Sequence, residues 1–336
     1  MPPIVIASKL LSYYYKDNRG PNSNGPGTCG LVLHPNGDSV WLNGRPRQVT
    51  SQVKFDGPIV GKIRELVKRQ EKTVIIPFGD EEPFYLMPWW SRASANIGNN
   101  DRTWVRNDPI IDNEKYELYE KFFGPDFIIL TVTLYKGRSS FPNVKTIPWN
   151  DEIYTHGPYR NLLAREILPE IPYANKKDQV VWRGGGFTHH INCGHPRLKI
   201  EEKLKPYGWA NVKHNDNGWN NSGDNYLDFK DCFAYKINMI IDGVAGATSE
   251  RWIFLTGSVI LRVSDWESCV VQQMKPWYDY IPVKLDLSDL IENVEWIFTN
   301  PKKAEKIAQQ GRQTYVKYTS RVELDKVIHK ALDIKS

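Results

Sequence analysis

The stretch from Tyr235 to Asp286 constrains this chain more than any other. The segment Ile237 to Ile241 reads as a buried strand and leads into a loop of small residues, Gly243, Ala245, Gly246 and Ala247. A helix follows, with Thr248 or Ser249 near its start and Trp252, Phe254 and Leu255 among its apolar positions. Gly257 ends that helix, and Ser258 to Val263 forms the next strand. Strand, loop, helix and strand make a βαβ unit, which belongs in a parallel sheet. The loop then lies where free backbone N–H groups can meet an anionic ligand. Small residues also let a helix pack tightly on a sheet, so the loop by itself leaves both roles open.

The surrounding residues extend the alternation. Asp178 to Arg183 is a strand ending in Gly184-Gly185-Gly186, Pro196 to Leu204 a helix with proline at its start, and Trp209 to Val212 another strand. Asn215 to Asn225 is an exposed polar loop. Helices follow over Asp289 to Thr299, Pro301 to Tyr318 and Arg321 to Leu332. Asp289 with Glu292 forms a capping-box pattern, and Asn300-Pro301 places a cap before proline at the first helical position. Such alternation implies a parallel sheet wrapped by helices.

The first half is more broken. Residues 1 to 56 are turn-rich, with hairpin strands at Leu31 to His34 and Ser39 to Leu42, and Gly57 to Lys72 has helical spacing of Ile59, Ile63, Leu66 and Val67. Thr73 to Pro77 is a short buried strand that runs into Asp80-Glu81-Glu82. Carboxylates at a strand end are candidates for chemistry, since ligands of open α/β sheets gather there, but a solvated acidic loop has the same composition. Trp89-Trp90 to Asn107 has the aromatic, polar composition of a binding loop, and Asp126 to Tyr135 is a second strong strand. The turns and prolines of Ser139 to Gly157 hold the domain boundary, giving residues 1–155 and 156–336.

A chain of 336 residues accommodates two such domains. With 44 basic and 39 acidic residues, the net charge of +5 is small and dispersed, which argues against nucleic acid and leaves room for one anionic ligand. Four cysteines, Cys29, Cys193, Cys232 and Cys269, lie far apart without zinc spacing and read as free thiols. No signal-peptide pattern, retention signal or membrane-length apolar window occurs, so the expected address is cytoplasmic, in a microbial or viral setting.

Two glycine-bearing strand ends, Gly184 to Gly186 and Gly243 to Gly246, would open on the same sheet edge, where a diphosphate could lie between them. Its charge needs compensation, and Arg183, Arg197 and Arg251 are placed to supply it. A cation near a helix N-terminus opposes the dipole, at a cost of up to about 1 kcal/mol, unless an anion sits beside it. Arg197 and Arg251 both break that preference. No D-x-D motif is present to hold a metal beside the diphosphate.

The segments V-V-W-R-G-G (180 to 185), D-G-V-A-G-A-T-S-E-R-W-I-F-L-T-G-S-V-I-L (242 to 261) and M-K-P-W-Y-D-Y-I-P-V-K-L-D-L-S-D-L (274 to 290) resemble glycosyltransferase family 90, which includes Rumi-type protein O-glucosyltransferases and fungal capsule xylosyltransferases. The likeness runs over roughly residues 178 to 318 in the right order. It implies an α/β fold of GT-B form, with two Rossmann-like domains facing across a cleft and a UDP-sugar donor held mainly by the carboxy-terminal one. The implied reaction inverts the anomeric centre without a metal or other cofactor, moving xylose or glucose to a hydroxyl of a glycan or protein acceptor. Nucleic acid and a membrane span are not implied.

Carried over by motif, Gly185 takes a position where the animal enzymes often have serine against the diphosphate. Arg197 resembles the family's donor-binding arginine, and Val244, Ala245, Gly246, Ala247, Thr248 and Ser249 resemble the loop that wraps the nucleotide. The family's second phosphate arginine falls on Ser249, with Arg251 two residues later as its possible substitute. The catalytic aspartate corresponds to Asp80, as the general base, although the extra residue before Pro83 leaves Glu81 open. The alternative from another class is a catalytically silent nucleotide- or glycan-binding module.

Overall fold

The computed structural model describes residues 29–42, 58–78, 85–86, 110–111, 120, 123, 125–131, 133–135, 143–148, 168–185, 196–214, 225–243 and 246–334. They divide into two compact units.

The first unit contains β1 (Cys29–Leu33), β2 (Ser39–Leu42), α1 (Pro58–Val67), β3 (Thr73–Phe78), β4 (Phe127–Thr131) and β5 (Val144–Thr146). Its sheet order is β2-β1-β3-β4-β5. The hairpin expected from the turn signals is present, with Val32 opposite Val40, and β1 also runs antiparallel to β3. From β3 to β5 the strands are parallel. The side chains of β4 are buried on both faces, which is why Ile128 to Leu130 show no alternation.

The carboxy-terminal helix, Arg321–Ala331, belongs to this first unit rather than with residues 166–320. Its Ile328 and Ala331, with Leu332 just beyond, join Leu31, Ile63 and Val74 in one core. Asp325 pairs with Lys62, and Asp333 with Lys72 at 2.5 Å. The expected grouping of residues 156–336 did not foresee this return, because an apolar stripe identifies a buried face without naming the sheet that buries it.

The second unit contains β6 (Lys177–Gly184), α2 (Pro196–Leu204), β7 (Ala210–His214), β8 (Tyr235–Ile241), α3 (Glu250–Ile253), β9 (Val259–Val263), β10 (Ile281–Pro282), α4 (Leu290–Thr299) and α5 (Pro301–Tyr318). All five strands are parallel, in the order β7-β6-β8-β9-β10. Ile237, Met239 and Ile241 of the central strand share one core with Leu290, Val294 and Ile297, which recur at helical spacing along α4. Burying an aliphatic side chain of this size contributes about 1.5–3 kcal/mol, so this face carries much of the unit's stability.

Three helix ends depart from what the sequence signals predict. The helix expected after the small-residue loop is a single α-turn, α3, continued by the 3₁₀ turn Phe254–Thr256. Gly257 stops it in the left-handed region at φ 63°, where a side chain would be strained. Asp289 precedes α4 but makes no cap bond, because its carboxylate accepts the Lys284 N–H at 2.9 Å. Asn300 likewise makes no side-chain cap for α5, since its amide donates back to the Trp296 carbonyl at 3.0 Å; Pro301 does occupy the first turn.

Candidate functional site

Neighbouring strands β6 and β8 end at Gly184 and Ile241, on the carboxyl edge of the second sheet. Arg197, in the first turn of α2, sends its guanidinium to that edge. Its Nε and Nη2 donate to the Ile241 carbonyl at 3.1 and 2.7 Å, and its Nη1 donates to the Gly185 carbonyl at 3.2 Å. The guanidinium lies 5.9 Å from the Trp182 ring centroid. On its other side is Gly243, where an added Cβ would come within 3.2–3.4 Å of the guanidinium atoms. The two glycine-bearing strand ends picked out in the sequence therefore meet at one arginine.

Burial pushes the Arg197 pKa down to about 10, and the charge of Asp242 works against that fall. Asp242 is itself fully buried, and its carboxylate accepts the Asp265 N–H at 2.9 Å. Asp242 also bears on a second buried pair, Arg262 on β9 and Glu250 in α3, whose charged groups are 3.2 Å apart. Burial raises the Glu250 pKa despite that partner, whereas Glu250 and Asp242 hold the Arg262 pKa above its ordinary value against the burial penalty. Arg262 also donates to the carbonyls of Ser264 and Trp266. The charge of Asp242 thus bears on two cations, Arg197 and Arg262, and on one further carboxylate, Glu250.

Arg197 makes three of its five possible N–H bonds among the described residues, all to backbone carbonyls. Carbonyls orient a guanidinium without cancelling its charge, so the group suits a bound phosphate or carboxylate.

The other expected residues divide. Gly185 is part of the edge. Gly246, Ala247, Thr248 and Ser249 lead into α3, where the Ala247, Thr248 and Ser249 carbonyls accept the N–H groups of Glu250, Arg251 and Trp252. Arg251 is half-buried in that turn, and its carbonyl accepts the Tyr315 hydroxyl. With only one α-turn, α3 brings little dipole to the edge. Arg183 turns out to be a structural tie. Burial lowers its pKa, and it donates to the Trp182, Asn211 and Asn225 carbonyls and to Asn211 Oδ1 at 2.7–2.9 Å. Asp80, Glu81, Val244, Ala245 and the Trp89, Trp90 and Trp104 region lie outside the described residues.

Sequence reasoning missed Glu201 and His214, which stand beneath Arg197. His214 Nδ1 lies 2.8 Å from Glu201 Oε2, its backbone N–H donates to the same oxygen at 2.9 Å, and its Nε2 meets the Arg197 carbonyl. No local motif links a strand's last residue to the first turns of the preceding helix, so only the folded chain reveals the contact.

The model of Glycosyl transferase family 90 matches residues 160–329. Protein O-glucosyltransferase 1 of Rattus norvegicus is 34% identical over 177 residues, which are 49% of this chain and 44% of that protein. Protein O-glucosyltransferase 3 of the same organism is 34% identical over 89 residues, 26% of this chain and 18% of that one. The chain thus spans less than half the length of these curated relatives. Among solved structures, Anabaena Alr3699/HepE in complex with UDP aligns at a TM-score of 0.37 with 10% identity, over 65% of this chain and 66% of that one, a likeness too weak to carry an argument. Among the described residues, no helix is long and apolar enough to cross a membrane.

Proposed function

This chain belongs to glycosyl transferase family 90, and on that premise we propose that it is a glycosyltransferase using a UDP-sugar donor. The sugar is glucose or xylose, and the likeness to protein O-glucosyltransferases favours glucose. The acceptor is a hydroxyl of a glycan or protein. The observation that carries the reading is the Arg197 guanidinium, half-buried at the carboxyl edge between Gly185 and Gly243 and held only by carbonyls among the described residues. Ligands of open parallel sheets bind at that edge, and a diphosphate fits a caged guanidinium.

In the proposed reaction the acceptor oxygen attacks C1 of the sugar with inversion, Asp80 takes the hydroxyl proton, and UDP leaves. General-base assistance is typically worth about 10²–10⁴-fold in rate. Arg197 stabilises the negative charge that builds on the departing diphosphate, and the loop from Val244 to Arg251 surrounds the nucleotide. No metal ion takes part.

The test is incubation with UDP-glucose, UDP-xylose and other nucleotide sugars, with water or oligosaccharides as acceptor, while UDP release is measured. One donor should release UDP, Arg197→Ala should abolish most of that release, and Asp80→Asn should lose turnover while still binding UDP. Failure to bind UDP, and to release it from any donor, sinks the proposal. UDP binding without turnover under every condition points instead to a silent binding module.

A further inference from the structure

We propose that His214, together with Glu201, is a positioning residue that sets the donor-binding arginine Arg197 in place; this rests on the donor reading above. Arg197 is held by separate groups at its side-chain head and at its backbone. Its head is fixed by the Ile241 and Gly185 carbonyls and by the Trp182 ring. Its root is fixed by His214, whose Nε2 meets the Arg197 carbonyl while Nδ1 lies 2.8 Å from Glu201 Oε2.

The chemistry of these contacts is one-directional. A carbonyl and a carboxylate are both acceptors, so a ring nitrogen that carries a proton finds a partner on either side. Arg197 and Glu201 stand four residues apart in α2, on one face of the helix. A single imidazole therefore spans the first turn of α2, and the His214 backbone N–H adds a third bond, to Glu201 at 2.9 Å. The last residue of β7 is thus stitched to the turn that carries the arginine. Glu201 answers to the same contacts: burial works to raise its pKa, but the backbone and ring bonds from His214 bring it below the usual carboxylate value.

Trp182 joins the two ends. Its ring stands edge-on to His214 at 5.7 Å and 88°, and lies beside the Arg197 guanidinium. Gly184 leaves room for that ring, since a Cβ there would fall 2.5 Å from it. A ring, a helix turn and a strand end converge on one side chain whose head must meet a ligand. Small displacements at the root of a long side chain become large ones at its tip, and misplacement on the scale of 1 Å is known to cost about a hundredfold in catalysis.

The experiment compares wild type, His214→Ala, His214→Gln and Glu201→Gln by calorimetric titration with UDP and with uridine, with melting curves to verify folding. His214→Ala should weaken UDP about tenfold, the loss of roughly one charge-assisted bond, while uridine, which lacks the diphosphate, is unaffected. His214→Gln keeps an amide donor for the Arg197 carbonyl and should recover part of the loss; Glu201→Gln should weaken UDP by less than His214→Ala. In an Arg197→Ala background, His214→Ala should have no further effect, because it acts through the arginine. Equal losses for UDP and uridine, an unchanged UDP affinity, or a full second loss in the Arg197→Ala background each overturn the inference alone. Wild-type protein that binds no UDP overturns the donor reading and the inference with it.

Discussion

Arg197 grips the carbonyl oxygen of Ile241 with two N–H groups, Nε at 3.1 Å and Nη2 at 2.7 Å. The residues are 44 apart in the chain. The grip aims the guanidinium along the strand edge, and Gly243, two residues past Ile241, leaves it space.

Gly243→Ala tests that space. The new methyl would come within 3.2–3.4 Å of the guanidinium, so the arginine has to give by a few tenths of an ångström. UDP affinity is expected to fall about three- to tenfold, or roughly 1 kcal/mol, with little change in melting temperature. Titration of UDP beside a melting curve checks both parts, and unaltered affinity would mean that the guanidinium head tolerates displacement.

The Glu250–Arg262 pair should behave as a buried ion pair. Both side chains are almost wholly removed from solvent. Removing one partner strands the other, so Glu250→Ala or Arg262→Met should each cost about 3–5 kcal/mol of stability. Replacing both with methionine should cost less than either single change. Urea unfolding of the three variants is the measurement, and additive losses would contradict this account.

Lys176 gives a pH signature. Its ammonium is buried between the Phe233 and Thr256 carbonyls, and burial, aided by the charge of Arg312, lowers its pKa from 10.5 to about 8. The unfolded chain holds this proton more tightly than the folded one, so the penalty is present in full below about pH 8 and is relieved as pH rises toward 10.5. Cys232, whose pKa burial raises from 9.0 to about 12, acts in the opposite direction from pH 9 upward. The difference between wild type and Lys176→Met removes that shared term. It should move in favour of wild type between about pH 7.5 and 10, by an amount on the order of 2 kcal/mol. A difference that stays flat across urea titrations at these pH values would show that the lysine is not buried as a cation.

Gly311 inverts the usual helix rule. Replacing an interior helical glycine with alanine ordinarily adds about 1 kcal/mol of stability. Here the new Cβ would lie 2.1 Å from the Asp279 carbonyl oxygen, a backbone atom that cannot swing away. Asp279 is tied in turn, accepting the Lys275 N–H at 2.7 Å and the Thr314 hydroxyl at 2.6 Å. Gly311→Ala should therefore destabilise the second unit by about 1–3 kcal/mol or more through overpacking, seen as a lower melting temperature.

The order of elements was legible in the residues alone. Apolar runs such as Phe127 to Leu130, the helical spacing of Ile63, Leu66 and Val67, and the punctuation at Gly257 and Pro301 depend on local periodicity and backbone preference, and these survive into the fold. Arg197 could also be singled out from the residues alone, because a cation in a helix's first turn breaks a local preference. Tertiary structure alone decided which groups the arginine meets, that Arg183 is consumed by carbonyls of neighbouring segments, and that the last helix packs in the core of the first sheet. A side chain's composition states what it can bond to. Which partner it takes depends on segments brought together from distant parts of the chain, and local sequence does not record that choice.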